Sequence, residues 1–184
     1  EWTGLSYQER QNAGQIVTLM GLALLFAYLF LVAQYESWTI PLSVMLSVLF
    51  AVMGALLGLE LTGGDMSIYT QLGMVMLIGL AGKNAILMVE FAKTARESGL
   101  SIIEAAKQGA SIRFRAVMMT AWSFLFGVLP LVFATGAGSA SRRAIGITTF
   151  AGMLTATLIG IFFIPFLFTL FETLREKFHA WRRS

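Results

Sequence analysis

"IYTQLGMVMLIGLAGKNAILMVEFA", residues 68–92, decides the fold. The run is predominantly apolar and long enough to cross the ~30 Å hydrocarbon core of a bilayer as one helix. Yet Lys83 stands well inside it. At 1.5 Å of rise per residue, about 15 residues precede it, which puts it near or just past the midplane. A lysine there costs about 2.5–3.5 kcal/mol on insertion scales, and a stem of roughly 6 Å does not bring its head to the interface. The sequence therefore predicts that Lys83 faces the interior of a helix bundle against an anionic partner. The alternative is a structural charge in a wet crevice.

Composition agrees with a membrane setting. Hydrophobic residues make up 57% of the 184-residue chain and charged residues 12%, about half the charged share of a soluble domain. Mean hydropathy is +0.77. The expected class is an all-α integral membrane protein. With no cysteine there is no disulfide framework or thiolate metal site. The single histidine, His179, lies in a charged tail, and one histidine does not make a metal centre. No metal or other cofactor is expected, nor a nucleic-acid partner. An enzyme has no support, for there is no nucleophile–base pair or phosphate loop.

Hydropathy divides the chain into five spans. Residues 1–15 are polar and read as an amphipathic or extended lead-in. Spans are expected at 16–35, 38–59, 68–92, 114–135 and 144–171. Between the third and fourth, 93–113 is expected to be a cytoplasmic connection carrying a short amphipathic helix, because "SIIEAAKQGA" repeats apolar residues at helical spacing. Residues 172–184 form the tail. Lysine and arginine set the orientation. Lys93, Arg96, Lys107, Arg113, Arg115, Arg175, Lys177, Arg182 and Arg183 fall on one side, against Arg10, Arg142 and Arg143 on the other. The C-terminus is expected in the cytoplasm and the N-terminus outside. The chain opens on Glu1-Trp2 with no signal-peptide pattern, and is expected to be a piece of something longer.

Helical periodicity sorts the polar residues onto faces. Gly79, Lys83, Leu87 and Glu90 share one face of the third span. Glu90 lies about 10 Å along the axis from Lys83, too far for a direct pair. The partner must come from another chain or a part not present, and Asn84 is placed to donate to the same anion. On the fourth span Arg113, Thr120, Ser123 and Gly127 follow one stripe. Together Lys83, Arg113 and Thr120 outline a proton or ion path toward the cytoplasm. Two plainer readings stay open: Thr120 satisfied by its own backbone, and Arg113 as a positive-inside anchor. On the fifth span Thr148, Gly152, Ala156 and Gly160 make a small-residue ridge, matched by Ala51, Ala55 and Gly58 on the second. Ordinary close packing accounts for both.

The segments "GLAGKNAILMVEFAK" (79–93), "RFRAVMMTAWSFLFGVLPL" (113–131) and "GAGSASRRAIGITTFAGMLTATLIGIFFIPFLF" (136–168) resemble the end of resistance–nodulation–division (RND) multidrug efflux pumps. The hydrophobe/amphiphile branch is the nearest in pattern, and "WTGLSYQER" (2–10) and "YESWTIPLSVML" (35–46) fit it too. The resemblance implies helices eight to twelve of a twelve-helix, homotrimeric drug/proton antiporter of the Gram-negative inner membrane, with residues 1–15 as the end of a periplasmic region. Such a pump works with a periplasmic adaptor and an outer-membrane channel. It further implies that Lys83, Arg113 and Thr120 are one half of a proton relay, with Asn84 and Glu90 in support. The relay aspartates would lie in the missing first half. Rival readings are a lipid or metal exporter of the same superfamily, or an isolated helical bundle with no transport of its own. The Arg142-Arg143 pair departs from the pattern and is given no role.

Overall fold

The computed structural model describes residues 18, 21–22, 24–38 and 40–183, with side chains as far as residue 177. Among the described residues it contains five helices and no strand. These are α1 (Leu24–Tyr35), α2 (Ile40–Leu61), α3 (Ile68–Glu97), α4 (Ile102–Val132) and α5 (Ser139–Arg183). The last four are each long and apolar enough to cross a membrane. The lead-in 1–15, much of the first half of the span expected at 16–35, and the side chain of His179 lie outside the described residues.

Local chemistry explains where the helices stop. Glu36 takes a left-handed φ of 49° in the turn between α1 and α2. Pro41 falls in the first turn of α2, where its missing N–H leaves no gap. Ser67 caps α3 by accepting from the Thr70 N–H at 3.3 Å. Gly99, at φ 98°, ends α3. Two residues on, Ser101 and Glu104 form a reciprocal capping box that starts α4.

Those stops differ from the expected ones. There is no separate amphipathic helix within 93–113: α3 continues to Glu97, and α4 runs unbroken from Ile102 to Val132. The helical spacing of "SIIEAAKQGA" is real, but nothing after it breaks the period before Phe114. Polarity there marks the exit from the apolar layer rather than a helix end. α4 stops at Val132 and not at residue 135, just before a turn in which Gly136 and Gly138 take φ of 82° and 70°. For the same reason α5 begins at Ser139 and not 144, and passes residue 171 into the charged tail.

At 1.5 Å per residue, α3, α4 and α5 are roughly 45, 47 and 68 Å long, well beyond a ~30 Å core. Because successive helices reverse direction, the end of α3, the start of α4 and the end of α5 meet at one end. There Arg96 binds Glu176 of α5, with Nε 3.0 Å from the carboxylate, and donates to the Leu100 carbonyl at 2.7 Å. Lys93 lies 5.6 Å over the Tyr35 ring and donates to the Tyr35 carbonyl at 3.4 Å, tying α1 to the same end.

α5 is the central helix, packed against α2, α3 and α4. Glycines permit its close approaches. A Cβ at Gly54 would overlap Thr155, one at Gly58 would overlap Ala151, and one at Gly152 would overlap Leu77. Ala51 and Ala55 are fully buried in that seam. The expected ridge on α5 therefore packs through Thr148 and Gly152, while Ala156 borders a cavity. Gly160 departs from it: a Cβ there would meet only Ile164 of its own helix, at 3.5 Å.

Candidate functional site

Lys83 is exposed, on the side of α3 turned away from the packed core. It borders an apolar groove of about 350 Å³ walled by Leu24 and Leu31 of α1 and by Val44 and Val48 of α2. Among the described residues it makes no hydrogen bond or ion pair. The face of α3 that packs within the described helices carries Leu77, Ala81, Ala85, Met88 and Ala92; the expectation for Lys83, a bundle interior with an anionic partner from another chain or a part not present, concerns helices beyond these.

The face carrying Lys83 is coherent. Leu72, Met76, Gly79, Lys83 and Glu90 are all exposed along one stripe, with Leu87 half-buried between them. A Cβ at Gly79 would meet nothing within 4 Å. Glu90 is exposed near the end of the stripe, two turns from Lys83.

Asn84 looks onto different surroundings. One residue is about 100° of rotation on a helix, and that turns Asn84 inward, away from the Lys83 groove. It lines a cavity of about 10 Å³, the room of one water molecule. Ser47 of α2 and Thr157 of α5 face it there, each hydroxyl donating to its own helix, at 2.6 Å to the Val44 carbonyl and 2.8 Å to the Met153 carbonyl. Sequence spacing within one helix could not place these three polar groups together.

On α4, Arg113 is half-buried, and its guanidinium carbon lies 5.5 Å from the centre of the Phe91 ring of α3. Its Nε is buried with no hydrogen-bond partner among the described residues. Thr120 is exposed and donates to the Ala116 and Val117 carbonyls at 2.9 and 3.0 Å. Its proton is therefore used locally, as the plainer reading held, while its oxygen keeps an open lone pair. Ser123 and Gly127 continue the exposed stripe, and a Cβ at Gly127 would meet nothing within 4 Å. Arg113 is brought to α3 at Phe91; among the described residues no hydrogen bond or ion pair joins Lys83 to Arg113 or Thr120.

Arg142 has a role that the sequence did not suggest. Its guanidinium donates to the carbonyls of Thr135, Ala137 and Gly138 and holds the α4–α5 turn.

Long apolar helices, glycine-mediated crossings and a lysine set in an uncovered apolar stripe define a multi-pass α-helical membrane protein. The chain belongs to the AcrB/AcrD/AcrF family, whose model matches residues 1–172. It is 43% identical over 173 residues to the toluene efflux pump membrane transporter TtgB of Pseudomonas putida, which covers 94% of this chain and 16% of that protein. To the multidrug resistance protein MdtF of Escherichia coli it is 45% identical over 178 residues, 96% of this chain and 17% of the relative. To the multidrug export protein AcrF of Escherichia coli it is 44% identical over 169 residues, 91% and 16% respectively. The chain thus spans about a sixth of the length of these curated relatives.

Proposed function

We propose that this chain is part of a proton-driven exporter of hydrophobic and amphiphilic compounds, in which Lys83, Arg113 and Thr120 carry one half of the proton relay. The observation that carries this reading is the uncovered stripe of α3. A buried-depth lysine without a partner is costly. A glycine in an open helix face costs about 1 kcal/mol relative to alanine, with no local return. Gly79, one turn from Lys83, offers a return if another helix packs closely there and brings a carboxylate to the ammonium. Gly127 beside Ser123 and Thr120 invites the same approach on α4.

In this reading Lys83 pairs with an ionised carboxylate supplied by the rest of the transporter. Protonation of that acid removes an attraction of several kcal/mol, enough to favour a second helix packing. Each proton that crosses supplies about 2.3 kcal/mol per 100 mV of membrane potential. Arg113 steers proton release near the cytoplasmic mouth, and the Thr120 oxygen accepts along the way. Glu90 supports the exit; Asn84 acts from behind α3 by way of its cavity.

The setting is the inner membrane of a Gram-negative cell. The basic end built by 93–113 and the tail after residue 171 faces the cytoplasm, by the lysine and arginine excess gathered there. The relatives TtgB, a toluene efflux pump transporter, MdtF, a multidrug resistance protein, and AcrF, a multidrug export protein, support the substrate class. A homotrimer working with a periplasmic adaptor and an outer-membrane channel completes the assembly.

The test is drug resistance conferred by the full-length transporter. Lys83→Ala should abolish it, because the partner acid loses its counter-ion and its pKa rises by about 1–3 units. Lys83→Arg should be badly impaired, since a planar guanidinium does not replace a compact ammonium. Resistance at the wild-type level in Lys83→Ala, with equal expression, would refute the reading.

A further inference from the structure

Arg113 has a buried Nε that no acceptor satisfies among the described residues. What holds the guanidinium instead is a ring, with Cζ 5.5 Å from the centre of Phe91. The two helices touch backbone to backbone beside this contact. A Cβ at Gly109, one turn before Arg113, would lie 2.7 Å from the amide nitrogen and 2.9 Å from the Cα of Ala92, the residue after Phe91. Gly109 and Ala92 are both buried.

From this geometry we infer that Phe91 is a positioning residue for Arg113, and that the Ala92–Gly109 crossing makes Arg113 follow the movements of α3. The inference rests on the proposed relay role of Lys83 and Arg113. Phe91 lies eight residues beyond Lys83, about 12 Å along the same helix. A change of pairing at Lys83 that shifts α3 therefore carries the ring with it. The close approach of Gly109 to the backbone and Cβ of Ala92 ties α4 to α3 at that level. An aromatic face suits the task. It attracts the cation yet offers no acceptor lone pair, so the guanidinium keeps its outward N–H groups for a carboxylate or a proton-carrying water. Glu90, the neighbour of Phe91, forms no ion pair with Arg113 among the described residues, so the ring has no competitor on its own helix.

The experiment measures proton-driven dye efflux by the purified full-length transporter in proteoliposomes, with rates divided by the amount of assembled protein. Phe91→Leu keeps most of the bulk and removes the π face. Phe91→Tyr keeps the face. Arg113→Ala reports on the relay itself. The expected result is that Phe91→Leu loses about 2- to 30-fold in rate, the range for a cation over a ring. Phe91→Tyr should retain most of the rate, and Arg113→Ala should be inactive. Equal losses in Phe91→Leu and Phe91→Tyr would show a purely steric role and overturn the inference. So would wild-type rates in both with Arg113→Ala inactive. Wild-type efflux in Arg113→Ala would instead sink the relay reading on which the inference stands.

Discussion

Lys83 and Asn84 are neighbours in sequence and look onto different surroundings, one an open apolar groove and the other a one-water cavity inside the bundle. Helical spacing made the Lys83 stripe legible, since Gly79 and Glu90 do share its face. It did not show which way that face points, because spacing along one helix carries no information on what packs against it. Arg113 illustrates a second limit. Its position on α4 was readable, but its contact with Phe91 joins two helices and leaves no trace in the spacing of either. Two residue-scale predictions follow from these placements. In the full-length transporter, Arg113→Ala should abolish drug resistance while expression and trimer assembly stay at the wild-type level. Thr120→Val, which keeps the shape and removes the oxygen, should impair resistance more mildly, because the hydroxyl proton is already committed to the Ala116 and Val117 carbonyls. Resistance that falls only in step with protein amount would make both residues structural.

At the scale of the helices, the sequence showed where apolar spans lie but misjudged where helices end. Polarity after Ala92 and after Phe171 marks the end of an apolar span, whereas a helix needs a breaker to stop, and the breakers are Gly99, the Ser101 capping box and the turn at Gly136 and Gly138. Ser101→Ala should therefore destabilise the start of α4 by about 1 kcal/mol, measured as a lowered midpoint for unfolding in detergent. The helix crossings make a sharper prediction. Gly109→Ala puts a methyl into the Ala92 backbone and should cost about 1–3 kcal/mol. Gly127→Ala in this same chain meets only open space and should be neutral or stabilising by up to about 1 kcal/mol. Equal tolerance at the two positions in an unfolding titration would contradict the close α3–α4 crossing.

For the whole molecule, the Arg96–Glu176 pair and the Lys93–Tyr35 contact draw the ends of α1, α3 and α5 together into one basic end. The chain has no cysteine, so single cysteines report sidedness cleanly. Gly64→Cys should react with an impermeant reagent from outside intact cells, and Ser98→Cys should not; the reverse pattern would invert the orientation. The relay claim is tested most directly by Lys83→Met in the full-length transporter reconstituted into vesicles with an imposed proton gradient. Methionine approximates the length of lysine without the charge, so the protein should insert and assemble at least as well as wild type. Coupled efflux and proton movement should both be lost, so that stability and activity move in opposite directions at this one position. Efflux at the wild-type rate in Lys83→Met would contradict the account and leave Lys83 a structural charge.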